Sequence, residues 1–230
     1  GGFLMAHHLD FVQWFRAAAP YIHAFRGKTF VLAFGGEVVN DGKFIHLTHD
    51  INLLVSLGVR LVLVHGARPQ IEALLAERNL QSHYQHGVRI TDSATLKCVK
   101  QAVGQVRVEI EALLSMGLAN SPMAGASIRV DSGNFVIAKP LGVSEGVDLQ
   151  YSGQVRKVQA HAIQTRLDDG DIVMLSPLGY SPTGEIFNVT LEDVATHAAI
   201  ALQADKLIFL SDTAGLTQDG KLLRELTAQS

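Results

Sequence analysis

The sequence predicts an α/β protein, a three-layer α-β-α sandwich on a mainly parallel sheet. Three observations predict it. Apolar strand patterns twice run into a glycine turn that opens a helix, at Thr29 to Gly36 and at Arg60 to Gly66. The second strand carries the continuous branched run Leu61-Val62-Leu63-Val64, as expected of a parallel strand covered on both faces. Between the strands apolar residues recur at three-to-four spacing, so each crossover is helical and the repeated βαβ units build one sheet.

In chain order, residues 1–9 show neither a basic leader nor an apolar core of signal length, and are read as a disordered or appended lead-in outside the fold. Residues 10–27 form an N-terminal helix: Asp10 is its N-cap, Phe11, Trp14, Phe15, Ala18, Ile22 and Phe25 make one face, Pro20 kinks it, and Gly27 ends it. The main domain is 28–230. Strand Thr29 to Phe34 runs through Gly35-Gly36 and the polar Asn40-Asp41-Gly42 segment into a helix from Phe44 to Leu57, which Gly58 stops. Strand Arg60 to His65 and Gly66 lead to a helix with Pro69 in its first turn.

A long helix follows through Leu96, Val99, Val103, Val106, Ile110 and Leu113, started by Thr91 or Asp92 and leaving through Ser115 to Pro122. Ser127 to Val130 and Phe135 to Ala138, joined by Asp131-Ser132-Gly133-Asn134, predict a hairpin, with Gln154 to Val158 a further strand. Ala160 to Leu167 is a helix and Ile172 to Leu175 a strand. Leu191 to Leu202 is a helix capped by Thr190 with Asp193 three residues on, and Lys206 to Leu210 is a last core strand.

Composition narrows the function. With 47% apolar residues in 230, the chain can bury a sizeable core. Its 19 Lys and Arg against 22 Asp and Glu give a net charge of -3 and no basic run, which excludes nucleic acid as an expected partner. The apolar stretch from Ile51 to Val64 is broken by Ser56, Gly58 and Arg60, well short of a membrane span. The single cysteine, Cys98, lies in a helical apolar pattern, so no intrachain disulfide forms and a cytoplasmic setting is expected.

The two strand-to-glycine elbows belong at the C-terminal edge of a parallel sheet, where glycine lets a ligand approach the backbone and helix starts offer free N–H groups to an anion. Neither elbow matches the dinucleotide or P-loop pattern, which removes the main support for a nucleotide-dependent oxidoreductase. Arg89 is a candidate carboxylate clamp, or else pairs with Asp92. Asn188, Glu192 and Asp193 sit at a helix start, able to reach a ligand or merely to cap. The pairs His46/His49 and His83/His86 lack a completing cysteine or spaced carboxylate, so no metal site is assigned. No G-x-S-x-G elbow occurs, and Ser211-Asp212 reads as a strand-end turn.

Taken together, FGGE, VHGARPQI, HGVRITD, SGNFVIAKPLGV, FNVTLEDVAT and LSDTAGL resemble the amino acid kinase family, with its carbamate kinase-like fold. Within it the chain is most similar to the kinase-like domain of the bacterial N-acetylglutamate synthases, from about Asp10 to Ser230. The resemblance implies that Gly35, Gly36, Gly66, Arg89 and Asn188 match positions that contact the acylated amino acid or phosphate in the kinases. It also implies that Ala33 replaces a lysine that neutralises the transferring phosphoryl group and Glu192 replaces an aspartate, while a second lysine falls beyond Ser230. No catalytic residue and no cofactor is therefore assigned to this chain.

The resemblance to the synthases implies instead a sensor of L-arginine, with Tyr21 a candidate effector contact, in an enzyme of the first step of arginine biosynthesis. In such an enzyme a C-terminal acetyltransferase domain uses acetyl-CoA, and the N-terminal helix supports self-association from dimer to hexamer. The alternative is an active ATP-dependent acylamino-acid kinase that uses Lys28 or Lys139 instead.

Overall fold

Residues 2–6, 22–40, 42–116 and 128–210 are described in the structure, a computed structural model. Six strands form a fully parallel sheet in the order β1 (Gly2–Ala6), β14 (Lys206–Leu210), β2 (Thr29–Phe34), β3 (Arg60–His65), β11 (Ile172–Leu175), β6 (Val130–Asp131). Four of these coincide with strands read from the sequence. The outer strand β1 comes from the lead-in set aside above. Of the expected N-terminal helix only α1 (Ile22–Phe25) falls within the described residues, and Tyr21 lies outside them.

Period-two alternation divides the core. Phe30, Leu32, Phe34, Leu61, Leu63, Ile172, Met174 and Ile208 face one side, where α3 (Phe44–Ser56), α4 (Arg68–Glu77) and α5 (Ser93–Leu114) cover them. Val31, Ala33, Val62, Val64, Val173, Leu175 and Leu207 face the other, against α6 (Ala160–Asp168) and α7 (Leu191–Ala201). Every one of these sheet side chains is buried, which is why the strands read as unbroken apolar runs. Cys98 is a fully buried core residue of α5. No helix among the described residues is long and apolar enough to cross a membrane.

The expected hairpin of Ser127 to Val130 with Phe135 to Ala138 does not form. β6 joins the main sheet beside β11, while β7 (Val136–Pro140) pairs antiparallel with β10 (Gly153–Val158) in a second sheet of order β10, β7, β12 (Leu178–Tyr180), β13 (Ile186–Asn188). The Asp131 to Asn134 turn thus carries the chain between two sheets. Burial of Phe135, Val136 and Ala138 in the second core cluster decides the pairing over the local turn signal. Two small ribbons also escape the sequence, β4 (Tyr84–Gln85) with β5 (Val88–Arg89) and β8 (Val143–Ser144) with β9 (Val147–Asp148). Each closes on a two-residue turn with positive φ at both positions: His86 at 50° with Gly87 at 78°, and Glu145 at 49° with Gly146 at 79°.

The long helix α5 starts at Asp92, whose Oδ1 accepts a hydrogen bond from the Thr95 N–H at 2.7 Å. The backbone N–H of Thr95, with its side chain assisting, holds the Asp92 carboxyl below the ordinary aspartate range. Its contribution is therefore complete above that range and is lost as the pH falls through it. Asp92→Ala is expected to lower stability by about 1 kcal/mol at neutral pH, and the gap from the unchanged protein should close in acid, as measured by urea unfolding across pH.

Candidate functional site

The two elbows meet at the C-terminal edge of β2 and β3. The Gly66 N–H donates to the Phe34 carbonyl at 2.8 Å, continuing the strand pairing one residue past β3. A Cβ on Gly66 would lie 3.3 Å from the Gly35 Cα and 3.4 Å from the Gly36 nitrogen, and one on Gly36 would lie 2.9 Å from the Ala67 Cα. Close approach of backbones, not backbone conformation, favours glycine at positions 36 and 66, since none of the three has a positive φ; a Cβ on Gly35 would meet the Glu37 side chain instead. Beyond them, α2 (Glu37–Asn40) turns on bonds from Val38 to the Gly35 carbonyl and from Val39 and Asn40 to the Gly36 carbonyl, each at 3.2 Å. Gln70, at the start of α4, donates through Nε2 to the Gly36 carbonyl at 2.9 Å and to Asn40 Oδ1 at 3.1 Å. Its role was hidden in sequence, where only its place in the elbow motif shows.

Arg89 is buried and does not pair with Asp92. Its Nη2 donates to Glu72 Oε1 at 2.8 Å, its Nη1 to Ser82 Oγ at 3.0 Å, and its guanidinium lies 5.2 Å from the Tyr84 ring centroid. Glu72 also accepts from Tyr84 Oη at 2.9 Å and from Ser82 Oγ at 2.8 Å. Burial works against ionisation of Glu72, yet hydrogen bonds from Ser82, Tyr84 and Arg89, with the Arg89 charge, outweigh it and hold the carboxyl below its ordinary range.

Asn188 closes a one-way hydrogen-bond chain. Its Nδ2 donates to Thr91 Oγ1 at 3.2 Å; Thr91 and Ser152 hydroxyls are 2.7 Å apart; the Ser152 hydroxyl donates to the Arg89 carbonyl. Because Ser152 gives its proton to Arg89, Thr91 is the donor to Ser152. Thr91 and Ser152 are buried, so the chain fixes β5 and β13 to one another with its polar atoms paired. Three of the residues named from sequence are thus elbow glycines, and the other two are tied through this network.

Ala33 is fully buried, its side chain in the apolar layer beneath α7. Glu192 is exposed at the start of α7. Asp193 works structurally: its N–H is capped by Thr190 Oγ1 at 3.1 Å, and its Oδ2 accepts from the Val155 N–H of β10 at 2.8 Å. His86 reaches Glu145 at 2.7 Å, joining the tips of the two ribbons.

His65, also unassigned from sequence, is fully buried at the end of β3. Its Nδ1 bonds the Gly66 carbonyl at 3.0 Å, and since a carbonyl only accepts, Nδ1 carries the proton and Nε2 accepts from the Ser176 hydroxyl at 2.8 Å. Burial lowers its pKa from 6.5 to about 4, the Gly66 bond opposing and the Arg107 charge assisting.

The amino acid kinase family pattern matches residues 28–230. The chain is 58% identical over 221 residues to an amino-acid acetyltransferase of Pseudomonas fluorescens and 54% identical over 222 residues to one of Ralstonia nicotianae, covering 96% of itself in each case. It spans about half the length of these curated relatives, 51% and 49%. Among solved structures it resembles the N-acetylglutamate synthase of Neisseria gonorrhoeae complexed with coenzyme A and L-arginine, with a TM-score of 0.78 and 36% identity, covering 96% of this chain and 56% of that one. The carbamate kinase of Giardia lamblia bound to AMP-PNP shares the fold, with a TM-score of 0.56 and 15% identity, over 82% of this chain and 72% of that one.

His65 gives this edge a pH signature. The unfolded chain takes up the proton near 6.5 and the folded chain only near 4, so the contribution is full above 6.5 and falls as the pH drops toward 4. Urea unfolding is expected to show about 3 kcal/mol lost over that window, and His65→Gln should flatten the dependence. Parallel profiles for the two proteins would contradict the assignment.

Proposed function

The chain belongs to the amino acid kinase family, and from that premise we propose that it is the arginine-sensing, non-catalytic domain of an N-acetylglutamate synthase. The whole protein, in this reading, transfers acetyl from acetyl-CoA to L-glutamate in the cytoplasm, with the chemistry in a further acetyltransferase domain. This domain binds L-arginine and passes the signal on. Tyr21 is an effector contact, and self-association through the N-terminal segment is part of the same reading.

One observation carries the loss of kinase chemistry. Phosphoryl transfer depends almost wholly on positioning and on cations that neutralise developing charge. At the end of β2, where the kinase resemblance puts a lysine, Ala33 is fully buried in an apolar layer. Lys28 offers no substitute: it precedes β2, at the opposite edge of the parallel sheet, and lies 3.9 Å from Asp205. Lys139 is exposed on β7, in the second sheet.

The arginine-bound synthase from Neisseria gonorrhoeae supports L-arginine as the effector class. Calorimetric titration of the full-length protein with L-arginine is expected to give saturable binding, and the same concentrations should change the rate of acetyl transfer to L-glutamate. Absence of both effects would remove the proposal.

A further inference from the structure

Segment 82–89 builds a receptor for a carboxylate. Ser82 Oγ, Tyr84 Oη and Arg89 Nη2 converge on one carboxyl group at 2.8, 2.9 and 2.8 Å, and the Tyr84 ring supports the guanidinium. The group they hold belongs to the chain itself, Glu72 of α4. The depth of the two partners is informative: the Arg89 side chain is 8% exposed and that of Glu72 is 42% exposed. The cation lies inside and the anion outside, so Glu72 occupies the side from which a soluble carboxylate would arrive. At the first elbow a second carboxylate of the chain folds back on the main chain. A Cβ on Gly35 would fall on the carboxylate of Glu37, so the notch left by the missing side chain is filled by an acidic group.

We propose that the anion positions at this sheet edge are occupied by the chain's own carboxylates, Glu72 on Arg89 and Glu37 over Gly35, and that this excludes soluble carboxylate ligands. The elbow keeps the form of a binding site while α4 and α2 supply its occupants. A ligand carboxylate gains only what it takes from Glu72, because three donors must leave one carboxylate to serve another. The inference rests on reading this elbow as a kinase pocket without its chemistry, and L-arginine titration of the same samples reports on effector sensing separately.

The probe is N-acetyl-L-glutamate, with inorganic phosphate as a second arm, titrated calorimetrically into the full-length protein with acetyl-CoA absent. To separate this edge from any acetyltransferase site, every titration is repeated in an Arg89→Met background, and only heat that Arg89→Met abolishes is counted. The unchanged protein is expected to show none. Glu72→Gln should reveal such binding, and Glu37→Gln/Glu72→Gln should strengthen it, to an affinity at least about tenfold beyond the weakest binding the titration can detect in the unchanged protein. A gain with N-acetyl-L-glutamate alone assigns the edge to carboxylates. An equal gain with phosphate overturns that choice of ligand class.

Glu72→Ala provides a second route if the Gln variants do not fold. It removes the occupant and leaves its three donors, Ser82, Tyr84 and Arg89, to a soluble carboxylate, so it should give Arg89-dependent binding. Arg89-dependent binding by the unchanged protein as tight as that of the variants overturns the proposal, as does folded Glu37→Gln/Glu72→Gln without any gain.

Discussion

The contact on which this edge depends is backbone against backbone. Gly66 approaches Gly35 and Gly36 so closely that a single methyl group on it would meet the opposite main chain at 3.3 Å. Because β2 and β3 are parallel and in register from Thr29 with Arg60 to Phe34 with His65, their elbows emerge side by side. The starts of α2 and α4 are thereby brought together, and Gln70 joins them through the Gly36 carbonyl and Asn40. Everything placed at this edge, including His65 on Ser176, takes its position from that meeting of strands. The apolar runs beneath supply the stability, with alternate side chains buried in two separate layers.

Much of this frame was legible in the chain. Strands at 29–34, 60–65, 172–175 and 206–210 are buried on both faces, so burial itself writes an unbroken apolar run. Asp92 and Thr190 announce their helices because a cap is a local event, a side chain meeting an N–H three residues on. The second sheet was legible only in part: β7 and β10 fall on strands read from the sequence, but their pairing with each other was not read. β12 and β13 are three residues each, too short for alternation to register; they pair antiparallel with each other, and β12 meets β7 at Tyr180 and Ile137. The turn at Asp131 to Asn134 looked like a hairpin because its composition is that of a turn, whichever sheets it connects.

The partner of Arg89 shows the same limit at the site. Asp92 stands three residues away and is the natural choice by proximity in sequence. Its carboxylate is already engaged by the Thr95 N–H, and the cation turns to Glu72, seventeen residues distant. Glycines 35, 36 and 66 were found because a strand-end glycine is a visible signal. The roles of Gln70, Glu72 and Glu37 depend on how α2 and α4 leave the elbows, which no local pattern records.

These features describe an amino acid kinase fold that lacks a cation at one position of its sheet edge. The kinase resemblance puts a lysine at the end of β2; this chain has a buried methyl group there. Sensing needs only a ligand that binds two states unequally, whereas phosphoryl transfer needs charges that are absent from that position. The most direct measurement is phosphorus NMR of ATP and Mg²⁺ with N-acetyl-L-glutamate and the full-length protein. The account predicts that the γ-phosphate signal persists with no ADP formed beyond the protein-free rate. Conversion of ATP to ADP dependent on N-acetyl-L-glutamate would contradict it.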